Sequence, residues 1–276
     1  MVGGGMAGIG MIDVGMIGVG HFGAVLVRGF LRAGIAPTHI LLAPRGSEVA
    51  SLARQGVGVA RDNAEVVARA EAVVLATRPS DAASAVAGLA WRRNQLLLSV
   101  CAGISADELR RASGGIARVV RALPMTSAEF GASPTAMFPH DGEAMALLAR
   151  LGQVVTLARE ADLETATAAA IAYTLCHELL GRTAEWAADH GIEPGTARLL
   201  AASFFESAAR MMAANKDTGH EALVEILATK GGVAEAAFVP LRAHGFGTLW
   251  NSALDAAHAR VRELGATRRR APDTTH

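Results

Sequence analysis

The sequence predicts an α/β protein: a doubly wound sheet domain, followed by an all-helical domain. Three observations carry that expectation. Up to Arg159, short apolar runs alternate with stretches of helical spacing, the pattern of strand–helix–strand units. A G-x-G-x-x-G stretch, Gly18 to Gly23, sits where the first run gives way to the first helix. Beyond Arg159 the strand-like runs end, and long segments rich in alanine and leucine take over.

In chain order, Asp13 to Ile17 reads as the first strand and ends in glycine. Phe22, Val25, Leu26 and Phe30 then recur at helical spacing. His39 to Ala43 is a second apolar run, and Glu48 to Arg54 a short helix. Ala72 to Ala76 (AVVLA) and Gln95 to Val100 (QLLLSV) are continuous apolar runs, suited to strands covered on both faces of a parallel sheet. Ser105 with Glu108 makes a capping box for the next helix. Ala117 to Leu123 is a further strand, stopped by Pro124, and Pro134 to Phe138 and Val154 to Leu157 complete the sheet. Five helices are expected after that: Ala161 to His190, Pro194 to Ala214, His220 to Ala228, Ala234 to His244 and Leu249 to Leu264. Trp91, Trp186 and Trp250 read as packing residues.

Composition narrows the function classes. The 276 residues are 51% hydrophobic, enough for a core built largely of small side chains. Acidic and basic residues balance at 26 each, so neither nucleic acid nor an acidic membrane surface is an expected partner. No run of about 20 apolar residues reads as a membrane helix. Cys101 and Cys176 give neither zinc spacing nor a disulfide framework, so no metal is expected and a reducing cytoplasm is the expected location. The opening MVGGGMAGIGMIDVG lacks the basic start of a signal peptide. Met6, Met11 and Met16 follow closely, and residues 1–12 are read as an extension or a start-codon artefact. Arg268 to Arg270 fall in a solvated tail, 268–276, expected to be disordered.

The G-x-G-x-x-G stretch, Gly18, Val19, Gly20, His21, Phe22 and Gly23, has the context that gives it chemical meaning: a strand before it and an amphipathic helix after it. Gly18 permits the tight turn, Gly20 lets backbone approach a pyrophosphate, and Gly23 lets helix and strand pack closely. The free N–H groups of the helix N-terminus then face the anion. The first domain, 1–159, is therefore expected to bind a dinucleotide. After the second strand, where an acidic residue would hold an unphosphorylated ribose, the chain has Arg45 and Ser47. A guanidinium pairs well with a phosphate, which favours NADP while leaving NAD possible.

With these motifs in place, the chain resembles the pyrroline-5-carboxylate reductase family along nearly its whole length. Val14 to Gly23 (VGMIGVGHFG) is similar to the family's opening strand and phosphate loop. Ala76 to Ser80 (ATRPS) stands where the family has Ala-Val-Lys-Pro-Gln, Ser99 to Ser105 (SVCAGIS) is similar to Ser-Ile-Ala-Ala-Gly-Ile-Ser, and Arg121 to Thr126 (RALPMT) to Arg-Val-Met-Pro-Asn-Thr. Val233 to Leu264 matches the C-terminal helices in length and pattern. The resemblance implies a Rossmann-type domain, a helical dimerisation and substrate domain over 160–267, and an active site at a homodimer interface. It implies reduction of a cyclic imine by hydride from a nicotinamide cofactor, as in proline biosynthesis. It also implies that Thr77, Arg78, Pro79, Ala102 and Gly103 border the cofactor.

The chain departs from the family in the substrate pocket. Ser-Gly-Ser-Gly-Pro-Ala-Tyr is here Thr167 to Tyr173, TAAAIAY, and Thr-Ser-Pro-Gly-Gly-Thr-Thr is here Ala228 to Ala234, ATKGGVA. The resemblance makes Gly231 and Gly232 a loop whose backbone N–H groups hold the substrate carboxylate. Val233 and Ala234 replace threonines, and Met125 replaces an asparagine. A hydrogen bond to a charged group contributes about 1.5–3 kcal/mol, so these losses change which substrate fits. Lys230 is one of only two lysines against 24 arginines, and stands beside the glycine pair as a candidate carboxylate partner or general acid. Tyr173, the only tyrosine, and His177, one turn on, are the other candidate proton donors. Two readings compete with imine reduction: a carbonyl or hydroxyacid oxidoreductase of the same fold, and a non-catalytic cofactor-binding regulator.

Overall fold

The computed structural model describes residues 12–270. The chain forms two compact units. One runs to Ala166 and takes in the chain again from Arg262; the other spans Thr167–Val261.

In the first unit the elements run β1 (Ile12–Ile17), α1 (His21–Arg32), β2 (Ile40–Leu42), α2 (Val49–Ala53), β3 (Gly58–Val59), α3 (Asn63–Arg69), β4 (Ala70–Leu75), α4 (Ala82–Val86), β5 (Leu96–Ser99), α5 (Ala106–Ala112), β6 (Arg118–Leu123), β7 (Thr135–Phe138), α6 (Gly142–Leu148) and β8 (Val154–Thr156). They build one eight-stranded sheet of order β3-β2-β1-β4-β5-β6-β7-β8. The first six strands are parallel and follow the doubly wound order, reversing between β1 and β4.

The apolar runs form strands because both faces of the sheet are covered. On β4, Ala72 and Val74 join the cluster that includes Val14, Met16, Leu26 and Phe30, while Val73 and Leu75 join Ile17, Val66 and Val67 on the opposite face. On β5, Leu96 and Leu98 go one way and Leu97 the other. Full burial of each such side chain contributes about 1.5–3 kcal/mol, which fixes the register. Ser105 caps α5 by accepting a hydrogen bond from the Glu108 N–H at 3.1 Å.

Two features of the sheet differ from expectation. The two-residue strand β3 gave no pattern in the sequence. β7 pairs antiparallel with β6, because the chain between them makes only a short 3₁₀ turn, Thr126–Phe130, and no crossover helix. α6 supplies the crossover that makes β7 and β8 parallel again.

The remaining elements are α7 (Asp162–Ala169), α8 (Ile171–Asp189), α9 (Pro194–Ala214), α10 (His220–Leu227), α11 (Val233–Ala243) and α12 (Phe246–Arg270). The single helix expected over Ala161–His190 is divided into α7 and α8. At Ala170 the hydrogen-bond ladder tightens, and the Tyr173 N–H donates to the Ala170 carbonyl at 3.0 Å, three residues back. α12 continues to Arg270, three residues into the segment read as a tail. The rest of that tail, and residues 1–11 of the segment read as an extension, lie outside the described residues.

Within the second unit, α8 and α9 pack together across the short connection after Asp189. Glu193 caps α9, accepting from the N–H groups of Gly195 (2.9 Å) and Thr196 (2.7 Å), which lowers its carboxyl below the usual carboxylate range. None of the described helices is long and apolar enough to cross a membrane.

Candidate functional site

The phosphate loop begins as β1 ends. Gly18 has φ +96°, which favours glycine, and a Cβ there would press into the Ala76–Thr77 backbone. A Cβ on Gly23 would collide with the Gly18 carbonyl, so helix α1 reaches the sheet only because this residue is glycine. Gly20 differs from both, because a Cβ there would meet no heavy atom within 4 Å. It is the N-cap of α1, with extended backbone and no side-chain cap. The 12-residue helix has no acidic residue in its first turn, so its leading N–H groups and dipole remain available to an anion.

Above this loop lies a cavity of about 700 Å³, lined by Ile17, Gly18, Val19, Gly20, Ala43, Arg45, Gly46, Asn63, Ala76, Thr77, Arg78, Asp81, Ser84 and Ala85. It opens where the strand order reverses, at the carboxyl ends of β1, β2 and β4, the place an open α/β sheet binds its ligand. Of the residues singled out in the sequence, Gly18, Val19, Gly20, Arg45, Thr77 and Arg78 come together here. His21, Phe22, Gly23, Ser47, Pro79, Ala102 and Gly103 are not part of the lining.

Sequence reasoning missed several of these walls. Asn63 opens α3 and donates from Nδ2 to the Ala85 carbonyl at 3.0 Å, tying one rim of the cleft to the other. Gly46 has φ +152°, and a Cβ would strike the Val19 backbone, so the loop carrying Arg45 lies directly against the phosphate loop. Cys101, outside the lining, is buried behind the end of β4, with its Sγ 3.4 Å from the Leu75 carbonyl and 3.3 Å from that of Thr77. These features fit a dinucleotide: a backbone cradle open at Gly20, an uncapped helix end, and two guanidinium groups at the rim. Among the described residues no group of histidine, cysteine or carboxylate side chains has the arrangement to hold a metal ion.

Below β6, Met125 is half-buried, and its N–H donates to Ser133 Oγ at 2.8 Å. Arg121 and Glu160 pair at 2.8 Å, and Glu160 also accepts from the Ala106 N–H at 2.7 Å.

In the second unit, the loop between α10 and α11 carries Lys230, Gly231 and Gly232. Gly231 has φ +73°, and its N–H donates to Glu235 Oε2 at 2.6 Å. The Gly232 N–H donates to the Thr229 carbonyl at 2.9 Å, and a Cβ on Gly232 would lie 2.6 Å from Thr229 Oγ1. The pair is thus glycine for the loop's own closure. Val233 is 90% exposed and Ala234 half-buried. Lys230 is exposed and in no ion pair among the described residues. On α8, Tyr173 and His177 meet edge-to-face at 4.9 Å between ring centroids.

Residues 13–103 match the family described as NADP oxidoreductase coenzyme F420-dependent, and residues 160–264 match that described as pyrroline-5-carboxylate reductase dimerisation. The C-terminal helices are therefore a dimerisation domain behind a Rossmann-type domain. Among similar proteins, pyrroline-5-carboxylate reductase 1 of Bacillus spizizenii is 29% identical over 258 residues, covering 87% of this chain and 84% of that one. The pyrroline-5-carboxylate reductase of Pseudomonas aeruginosa is 28% identical over 253 residues, covering 87% and 92%. Among solved structures, the NADP-bound pyrroline carboxylate reductase of Plasmodium falciparum has the same fold, with TM-score 0.77 at 18% identity over 94% of this chain and 100% of that one. The Coxiella burnetii pyrroline-5-carboxylate reductase gives TM-score 0.76 at 23% identity over 92% and 98%.

Proposed function

We propose, for a chain that belongs to the pyrroline-5-carboxylate reductase family, that it is an NADP-dependent oxidoreductase that reduces the C=N bond of a cyclic imine. The observation that carries this reading is the cleft at the strand reversal, with its open glycine cradle, in a chain whose C-terminal helices match the family's dimerisation domain. NADPH, when bound, supplies the hydride.

The chain's own residues supply position and charge. Gly18 and Gly20 would let backbone approach a pyrophosphate, toward which the first N–H groups of α1 are free to donate. Arg45 would pair with a 2′-phosphate, and Arg78 and Thr77 would border the cofactor from the end of β4. Gly231 and Gly232 shape the substrate loop, where Val233 and Ala234 stand in place of the threonines of the resembling family; Met125, in the first unit, stands in place of its asparagine. An iminium accepts hydride without covalent catalysis, so the main contribution is orientation. Tyr173 is the proton donor we favour, and Lys230 the alternative. The working form is a homodimer, or a larger assembly of dimers, in the cytoplasm.

The test is NADPH oxidation with pyrroline-5-carboxylate and a panel of other cyclic imines. Turnover of at least one supports the reading. Tight NADPH binding with no turnover across cyclic imines, ketones and hydroxyacids would replace it with a cofactor-binding regulator.

A further inference from the structure

The cofactor cleft does not end at Asn63. Arg45 and Asn63 also line an adjoining hollow of about 560 Å³, whose wall adds Arg61 and Asp62. The sheet explains how Arg61 comes there. β2 and β3 are parallel neighbours, with Leu42 opposite Val59. Arg45 follows Leu42 by three residues and Arg61 follows Val59 by two, so adjacent carboxyl ends deliver two guanidinium groups to one hollow. From this we infer that Arg61 is a further specificity-determining residue for the cofactor, and that with Arg45 it clasps the 2′-phosphate of NADP. The inference deepens the NADP-dependent reading above and rests on it.

Arg61 is held at the inner end of its guanidinium. Its Nε donates to Glu65 Oε2 at 3.0 Å and its backbone N–H to the same oxygen at 2.9 Å, while Glu65 Oε1 accepts from Arg69 Nη1 at 2.9 Å. Among the described residues its two terminal nitrogens have no partner. A guanidinium fixed at Nε and free at Nη offers donors to an oxyanion at a lower entropic cost than a swinging side chain. Two carboxylates stand close by. Glu65 is matched by two arginines, and Asp62 accepts from the Glu65 N–H at 2.8 Å as the cap of α3. Glu48, the first acidic residue beyond β2, pairs with Arg28 at 3.6 Å. Arg45, Arg61 and Arg69 against Asp62 and Glu65 leave the local balance positive. A phosphate carries about −1.5 to −2 charge at pH 7 and three acceptor oxygens, enough for both guanidinium groups. The hydroxyl that NAD has in its place carries no charge and gains nothing from a second cation. The Arg61 side chain is 88% exposed, so water and salt weaken the contact, and its effect belongs near tenfold rather than a hundredfold.

The experiment is calorimetric titration of the full-length protein with NADPH and with NADH, in the absence of any imine. Arg61→Met is expected to weaken NADPH by about tenfold and to leave NADH within about twofold. Arg61→Lys keeps the charge and loses the planar fork, and should fall between the two. Unchanged NADH affinity also shows that the variant has folded. A second pair of ligands isolates the adenosine end: the wild type should bind adenosine 2′,5′-bisphosphate more tightly than adenosine 5′-monophosphate, and Arg61→Met should narrow that ratio by about tenfold. Unchanged NADPH affinity in Arg61→Met, or NADPH and NADH weakened alike, overturns the inference. The remaining failures fall apart cleanly. A preference for NADPH that survives Arg61→Met removes Arg61 alone and leaves the NADP reading standing. A wild type that binds neither dinucleotide removes that reading, and this inference with it. Absence of imine turnover bears only on the reaction, because both titrations read binding.

Discussion

Arg45 stands on the rim of the cleft beyond β2, where an acidic side chain would repel a 2′-phosphate and a guanidinium pairs with it. A charge-assisted contact of about 1.5–3 kcal/mol corresponds to about ten- to a hundredfold in affinity. Titration of both reduced cofactors should therefore find NADPH bound more tightly than NADH, and Arg45→Asp should level or reverse the order. Tighter NADH binding by the wild type, by about tenfold, would show that this loop has been misread. The two proposed proton donors separate in the same way. Tyr173 is half-buried against His177, whereas Lys230 is exposed with its ammonium in solvent. A positioned general acid typically contributes about 10²–10⁴ in rate. Tyr173→Phe is expected to lower kcat by about a hundredfold, and Lys230→Met to change kcat/KM by less than about threefold, the size of a screened surface charge. The opposite result would transfer the role to Lys230.

At the scale of elements, the phosphate loop gives a prediction that separates folding from binding. Gly20→Ala places a methyl group in open space at an extended backbone position, so thermal stability should hold. In the proposed site the methyl would stand where the pyrophosphate approaches, and NADPH affinity should fall by about tenfold or more. Gly23→Ala drives a methyl into the Gly18 carbonyl and should destabilise the first unit by about 1–3 kcal/mol, measured by denaturant unfolding. Helix α3 carries a pH signature. Glu65 accepts from the Arg61 N–H and from the Arg61 and Arg69 guanidinium groups, which brings its carboxyl down to about 2. A depressed carboxyl stabilises the folded state above its unfolded value, and that contribution is lost as pH falls toward the folded value. The thermal midpoint should drop between about pH 4.5 and 2, and Glu65→Gln should flatten that limb while lowering the midpoint at neutral pH. The sequence showed these elements unevenly. AVVLA and QLLLSV were legible because β4 and β5 are covered on both faces. β3 is too short to have a period, and the direction of β7 is set by the connection before it. Asn63 reaches the cleft from the start of α3, and Asp81, Ser84 and Ala85 from the 3₁₀ turn Pro79–Asp81 and α4, and only the strand order of the sheet brings these two segments to one cleft. Gly46 is one glycine among 30, distinguished only by what a Cβ there would strike. The hydrogen bond of Glu235 to Gly231 depends on the turn's geometry, which the letters TKGGVAE do not give.

The whole molecule presents a problem of burial that one copy of the second unit leaves unsolved. α8 has 19 residues and none of its side chains is fully buried, and α9 has 21 with only Ala197 and Ala201 buried. Helices within a folded protein take most of their stability from packing an apolar face rather than from propensity. Yet Leu199 is 69% exposed and Phe204 60%, with Met212, Ile226, Val239 and Leu249 also exposed on the same unit. Covering each such side chain would contribute about 1.5–3 kcal/mol, and exposed apolar side chains in this number call for a cover. The match of residues 160–264 to a dimerisation domain identifies the cover as a second copy of this chain. Analytical ultracentrifugation at micromolar concentration should therefore find a dimer or a larger even assembly, and a stable folded monomer would contradict the argument. Phe204→Asp places a charge on this face and should shift the distribution toward smaller species, with loss of helical circular dichroism as the second unit loses its cover. Every residue that lines the cofactor cleft belongs to the first unit, so the same variant should still bind NADPH. Loss of NADPH binding together with dimerisation would mean that the first unit's fold also depends on the partner copy.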